Sequence, residues 1–544
     1  MSTVQRTARV ERYARYRAPD ESGSKLIVPA WDEMGALVRA GVEWRGAADV
    51  DVLGMPLADF AAAARVEAMG RAADYVDTYA GPRAGGFAYD PLRPLILTGH
   101  QPDLVHPGVW LKNFAAAALA EQLGAESLHL VIDSDVCRGT SIRVPSGSSD
   151  SPQLAAVEFD APAMEMPWEE RRVVDRACWR SFARRVRGAT SPLLAGRMLD
   201  EWWSVAVERA EATGLIGASL AQARHLAELD WNQRNLELPQ SQACQTAAFR
   251  RFACRLLFEL PRFAQAYNAA LADYRRKRRL RNHAQPVPDL AADGPWLEAP
   301  LWMWSAEDPM RRPVYVRCGA GACVVSDRRS FERALPRDAD AAIAELGRWE
   351  AEGVKLRSRA LVTTMFARMA LADMFIHGIG GARYDEVTDA VCERFFGAAP
   401  PAYATLSGTL RLPIAHPPGD EHDVRVLRRQ LRDYDFHPER YLHAGDSPSD
   451  GHAVGDKLAI LKRQWIETPK LPDNAKTRHA AIAEANRGLR ALIADQRLAG
   501  ERRLDAATER ARANRILNSR EYAFCLYQRN YLEQFLLDFP TPAL

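Results

Sequence analysis

Leu95-Ile96-Leu97-Thr98-Gly99-His100-Gln101-Pro102, His106-Pro107-Gly108-Val109-Trp110-Leu111-Lys112-Asn113 and Leu128-His129-Leu130-Val131-Ile132-Asp133-Ser134-Asp135 are the words on which the fold turns. The first is a short apolar run that ends in a glycine, the signature of a buried strand entering a turn. Residues 109–123 then read as a strong helix, and 128–132 as a second buried strand. Strand, helix and strand in this order make a βαβ unit with a right-handed crossover and a parallel pair. The acidic residues Asp133 and Asp135 then fall at a strand's carboxyl end, where open parallel sheets bind their ligands.

Outward from this unit, residues up to 89 mix short apolar pieces such as Leu26-Ile27-Val28-Pro29 with helical text at 59–73. Residues 168–281 are almost wholly helical, rich in Ala, Arg, Leu and Glu, and read as an insertion. Strand-like text returns at 296–331, followed by a helix at 338–353 and by the glycine-bearing stretch 375–389. Beyond Gly397, Pro400-Pro401, His416-Pro417-Pro418-Gly419 and residues 447–451 mark irregular connections. The fold class expected is α/β: a Rossmann-like parallel-sheet core with a helical insertion and a C-terminal helical arm. Its parts are 1–160 and 291–400 for the core, 161–290 for the insertion, 401–471 for an irregular connector and 472–544 for the arm. Spaced apolar residues at Ile482, Leu489, Leu492 and Leu504 leave open a coiled coil, and with it a homodimer.

Composition limits the function classes. The 544 residues exceed the ~250–300 at which one core stops growing, so two or three substructures are expected. With 72 basic and 70 acidic side chains the net charge is +2, which supplies no bulk attraction for nucleic acid or membrane. The opening Met1–Val10 has no apolar signal-peptide core, and no run of ~18 apolar residues could span a bilayer, so the expected location is the cytoplasm. Eight scattered cysteines read as reduced thiols. Cys318 and Cys323 bracket Gly-Ala-Gly-Ala; without a second pair or a nearby His they read as a hairpin turn, not a metal knuckle.

Three segments can carry chemistry. Thr98-Gly99-His100-Gln101 with His106, Lys112 and Asn113 combines a strand-to-helix glycine, a helix N-terminus and cationic or polar side chains, the outline of a phosphate or carboxylate site. Neither a Walker A loop nor G-x-G-x-x-G is present at this turn, which argues against P-loop NTPases and NAD-dependent dehydrogenases. Asp133 and Asp135 could hold a metal, orient an amine or accept a proton; the reading adopted uses no metal. The third segment is His377-Gly378-Ile379-Gly380-Gly381-Ala382-Arg383-Tyr384-Asp385, where Gly378, Gly380 and Gly381 open a helix and His377, Tyr384 and Asp385 can bond or move protons.

Together these words resemble the cysteine-adding enzymes of bacillithiol synthesis. Thr98-Gly99-His100-Gln101 followed by Lys112 is similar to that family's T-G-Q-Q…K segment, Val131-Ile132-Asp133-Ser134-Asp135 to its next strand, and residues 377–384 to its G-G-P-G-E-I-A-Y region. The chain departs from the pattern at His100, at Val136-Cys137-Arg138, and at Ile379 and Gly381. The resemblance implies a Rossmann-like core of nucleotidylyl-transferase shape and a ligase or transferase. Such an enzyme would condense a small amino or thiol metabolite with an anionic amino-sugar or carboxylate partner, with a nucleotide (ATP or ADP) left open as cofactor. In this reading His100, Gln101, His106, Lys112 and Asn113 hold an anion, Asp133 and Asp135 orient or deprotonate an amine, and the glycine loop cradles a second anion. The alternative is a non-catalytic nucleotide- or nucleic-acid-binding protein, suggested by Arg275-Arg276-Lys277-Arg278-Arg279-Leu280-Arg281.

Overall fold

The computed structural model describes residues 16–82, 87–319, 321–415, 421–442 and 449–540. Met1–Val10, Ala320, His416-Pro417-Pro418-Gly419 and Ser447-Pro448 lie outside the described residues. Six strands build the central sheet: β1 (Lys25–Val28), β2 (Leu95–His100), β3 (Glu126–Val131), β4 (Leu236–Pro239), β5 (Met374–His377) and β6 (Tyr403–Gly408). Their order is β1-β6-β5-β2-β3-β4; β2 to β6 are parallel and β1 caps one edge antiparallel to β6. Four helices matter for the site: α1 (Leu57–Ala80), α2 (Pro107–Leu123), α3 (Ile216–Asp230) and α4 (Ile379–Phe396).

Side chains alternate across a strand, so the apolar runs must be covered on both sides. Leu95, Leu97, Leu128, Leu130, Phe375 and Tyr403 face one way, into a core shared with α1 and with Val387, Val391 and Phe395 of α4. Ile96, Met374, Ile376, Ala404 and Leu406 face the other, against Ala115, Ala116 and Leu119 of α2 and the helix Met34–Ala47. The chain steps from β2 to β3 in one direction and from β5 to β6 in the other. Right-handed crossovers therefore place α2 and α4 on opposite faces. At the start of α2, a Cβ on Gly108 would stand 2.1 Å from the Gly408 carbonyl oxygen, so only glycine lets the helix seat on β6.

A second, antiparallel sheet is inserted between β4 and β5, with strands in the order Glu332–Pro336, Ala322–Ser326, Arg312–Cys318, Trp296–Ser305 and Val354–Ser358. Its Val314, Val316, Cys323 and Val325 join the same core as the central sheet. The hairpin around Gly319 and Gly321 is thus present as expected.

The segmentation differs from expectation in three places. β4 lies inside the stretch 161–290 read as a helical insertion; Leu236-Glu237-Leu238-Pro239 is too short to carry a period of its own. β6 lies beyond the boundary near 400. The expected irregular connector at 401–471 is mostly helical, with Glu421–Phe436 and Ser449–Glu467; between its prolines, Val424, Leu427, Leu431 and Tyr434 recur at helical spacing. The arm itself is two helices, Ala475–Leu492 and Ala494–Leu517. The second packs back on Glu421–Phe436 through Val424, Ala507 and Ala511. Arg529–Leu536 then returns to the main body, where Leu532 and Leu536 join Trp110, Leu111 and Phe114. No described helix is long and apolar enough to cross a membrane.

One buried ion cluster locks β2, β5 and α1 together. Asp373, fully buried just before β5, accepts from Arg65 of α1 at 2.6 Å, from the Leu95 amide at 2.8 Å and from Arg45. Removing one partner of such a pair leaves an uncompensated buried charge. Asp373→Ala is therefore expected to lower the unfolding free energy by about 3–5 kcal/mol, measured by urea denaturation.

Candidate active site at the carboxyl edge of the sheet

All five parallel strands end on one edge, and the three sequence segments meet it at β2, β3 and β5. The pair Asp133 and Asp135 splits there: an extended chain would send residues two apart to the same face, but the strand ends at Val131 and 133–135 form a turn. Asp133 is buried and turns toward β4, where its two carboxylate oxygens accept the Ser241 amide at 2.8 Å and the Ser241 hydroxyl. Asp135 turns toward β2, accepting from Gln101 Nε2 at 2.9 Å and pairing at 3.1 Å with Arg311, just before the second sheet's strand Arg312–Cys318. The two acids thus serve different surroundings.

Asp133 lines a crevice of about 430 Å³ at the ends of β3 and β4, the place predicted for ligands in open parallel sheets. Glu169, Arg71, Lys355 and Arg357 line it with Asp133, so three cations and two carboxyls share the space. Arg357, fully buried, is forked onto Glu169 at 3.0 Å from both Nε and Nη2 and onto Glu350 at 2.8 and 2.9 Å. Lys355 bonds Glu170. Among the described residues Arg71 has only a loose pair with Glu67, at 3.7 Å, and is the cation best placed to meet a solute. Burial pushes the Asp133 carboxyl up to about 7, the Glu169 charge adds to this, and the Ser241 donors oppose it. A carboxyl that exchanges its proton near neutrality inside a polar crevice is suited to general acid or base work.

His100, at the end of β2, is buried, and its Nδ1 lies 2.6 Å from the Gln101 carbonyl oxygen. A carbonyl only accepts, so Nδ1 carries the proton and Nε2 offers a lone pair, without a partner among the described residues. Burial holds the imidazole well below its ordinary pKa, as do the neighbouring His129, Lys112 and Arg224, so His100 is neutral. Lys112 crosses beneath it, donating to the Gly99 carbonyl at 2.9 Å, and burial lowers its ammonium to about 8. Its chain also runs 4.0 Å from where a Cβ on Gly378 would stand, which places it between β2 and β5.

The other residues of this segment have local work. Thr98 Oγ1 donates to the Ile376 carbonyl at 2.9 Å, tying β2 to β5. His106 caps α2, accepting the Gly108 amide at 3.1 Å, and burial pushes it down to about 4. Asn113 donates to Glu228 at 2.8 Å.

The glycine loop is only partly a packing device. A Cβ on Gly381 would lie 2.7 Å from His377 Nδ1, so this glycine admits the ring; Gly380 faces open space. His377 Nε2 meets Asp385 at 2.6 Å, and Asp385 also accepts from Arg368 at 2.9 Å. Burial would raise the Asp385 carboxyl, but His377 and Arg368 outweigh it and hold it below the usual range. Tyr384 is 41% exposed and stands apart from this buried chain.

The structure therefore joins Gln101 with Asp135, and His377 with Asp385, while Asp133 works with groups the sequence did not point to. Ser241, Glu169, Arg71 and the pair Lys355 and Arg357, two residues apart on the strand Val354–Ser358, come from four separate segments of the chain. Among the described residues no group of three or more His, Cys, Asp or Glu side chains is arranged to hold a metal ion. No protein-family model matches this chain, and no curated protein matches its sequence. Fold and site define a mixed α/β protein with a charged, polar crevice at the carboxyl edge of a mostly parallel sheet.

The raised Asp133 value has a thermodynamic signature. The folded protein holds this proton between about 3.8 and about 7, whereas the unfolded chain has lost it, so stability falls as pH rises through that window. Asp133→Asn removes the dependence. Wild type should lose up to roughly 4 kcal/mol more than the variant between pH 4 and pH 7. Denaturant titrations at several pH values read the difference; parallel curves would show Asp133 ionised throughout.

Proposed function

We propose that this protein is a ligase or transferase that joins a small amine- or thiol-bearing metabolite to an anionic amino-sugar or carboxylate partner in the β3–β4 crevice. The observation that carries this reading is Asp133, a buried carboxyl with a near-neutral pKa in a crevice that also holds three cations. A partly protonated acid can take the proton of an attacking amine or thiol, and Arg71 and Lys355 can hold an anionic partner. The finer fold reading supports it. Counted from β2, the parallel strands run 3-2-1-4-5, the order of a Rossmann-like sheet, whose direction reverses between β2 and β5. His100, Lys112, His377 and the glycine loop gather at that reversal, which is the region a nucleotide would use. The resemblance to the bacillithiol-forming cysteine-adding enzymes agrees in the order of its three segments.

The basic run no longer favours a nucleic-acid partner, because much of it is engaged within the protein. Arg275 pairs with Asp289, Arg276 with Asp273, and Lys277 and Arg278 with Glu386. The helix Ser449–Glu467 and the turn after it, which precede the arm, in contrast expose Val454, Ile460, Leu461, Ile466 and Leu471. This apolar surface supports the homodimer reading.

A thermal-shift series with cysteine, glucosaminyl malate, related amino sugars, ATP and ADP tests the proposal, since a ligand at a hundred times its Kd adds about 2.7 kcal/mol. An amino sugar or cysteine should stabilise wild type, and Arg71→Glu should abolish the shift without lowering the unliganded Tm. Stabilisation by nucleotides alone would favour the binding-protein alternative. For this apolar surface, light scattering of the full chain should give twice the monomer mass, and Ile460→Asp combined with Leu471→Asp should halve it.

A further inference from the structure

Cys318 ends one strand of the second sheet and Cys323 lies one residue into the next; the two face each other in register. The Gly319 amide donates to the Ala322 carbonyl at 2.9 Å. This makes Gly319 and Ala322 a hydrogen-bonded pair, and Cys318 with Cys323 the adjoining non-hydrogen-bonded pair. In such a pair the Cα atoms approach to about 4.5 Å and the side chains come closest. That spacing falls within the ~4.4–6.8 Å range that a disulfide can bridge. The Sγ atoms stand 2.7 Å apart, with Cys318 Sγ also 3.4 Å from the Leu257 carbonyl oxygen. Cys318 is exposed and Cys323 fully buried. Arg337 holds the hairpin tip, donating to the Gly319 carbonyl at 3.2 Å and to the Phe258 carbonyl at 2.7 Å.

We infer that Cys318 and Cys323 form a reversible thiol–disulfide site that reacts with hydrogen peroxide, Cys318 as the attacking sulfur and Cys323 as the resolving one. The Cys318 thiolate attacks one peroxide oxygen; an S–O bond forms, the O–O bond breaks, and the leaving hydroxide takes a proton to become water. Cys323 then gives up its proton and attacks Cys318 Sγ; the S–S bond forms, the S–O bond breaks, and a second water leaves. Two thiols lose two electrons and two protons, and one peroxide becomes two waters. The division of labour agrees with their surroundings. The hydrogen bond from Cys323 lowers Cys318 to about 7 against the opposing effect of burial, while that bond and burial both push Cys323 up. The site lies on the second sheet and does not depend on the reading of the crevice.

The test uses the full-length protein, reduced and then treated with stoichiometric hydrogen peroxide, with thiols alkylated before proteolysis without reductant. Expected are the loss of two titratable thiols per chain and a Cys318–Cys323 peptide lighter by two hydrogens, restored by dithiothreitol. Cys178→Ser should leave this unchanged and Cys318→Ser should abolish it. In Cys323→Ala, Cys318 should accumulate as sulfenic acid and be trapped by dimedone, an outcome that a folding defect would not produce. If the pair stays reduced while Cys178 oxidises, or Cys318 proceeds to sulfonic acid in wild type without linking to Cys323, the inference is overturned.

Discussion

The buried ion pairs of Arg224 of α3 are the interaction around which the carboxyl edge of the sheet is arranged. Buried within the protein, the Arg224 guanidinium reaches Glu228 on its own helix and Glu237 of β4, and lies 3.3 Å from His129 Nδ1 of β3. Glu228 also accepts from Trp110 at 2.6 Å and Asn113 at 2.8 Å, both on α2. Each charge taken out of water costs several kcal/mol and is repaid only when its partners stay in place. Two strands and two helices are therefore held in one mutual register, because a slip of any of them would strand a buried charge.

That rigidity has a chemical use. His129 lies beside His100, with ring centroids 4.7 Å apart, so the same cluster that fixes β3 and β4 also surrounds the neutral imidazole at the end of β2. One strand further along, Asp133 meets the crevice, where desolvation and the Glu169 charge act in the same direction. A site whose titrating groups are set by packed neighbours needs little reorganisation when a solute binds. Opposite it, the His377–Asp385–Arg368 chain continues to Asp389 and the Pro401 carbonyl, which makes it a support for the start of α4 and for the loop beyond β5.

Much of the core was legible in sequence because its parts are local. Leu95 to Leu97 and Leu128 to Ile132 are apolar runs of strand length and the helix between them is long and regular; these need no distant partner to be read, whereas Gly99, expected at the turn, lies inside β2 opposite Leu130, whose carbonyl oxygen a Cβ there would crowd. β4 escaped because four residues carry no period, and its strand state comes from pairing with β3 through Leu128↔Leu236 and Leu130↔Leu238. The helices at 421–436 and 449–467 were hidden by the prolines around them, and the first of them is held by Ala507 and Ala511, some eighty residues away in the chain.

The amino-acid sequence by itself determined the βαβ unit, the α/β class, the cysteine hairpin and the places where His100, Asp133 and His377 meet strand ends, because each follows from side-chain period or turn chemistry over a few residues. Only the tertiary structure decided which of these groups act together. It turned Asp133 from Asp135, gave Asp133 to Ser241 and the crevice, closed His377 onto Asp385, and brought Arg71, Glu169, Lys355 and Arg357 to one space. The reason is physical: charge, burial and pKa depend on distance in space, and residues from distant segments become neighbours only when the sheet and its helices have packed.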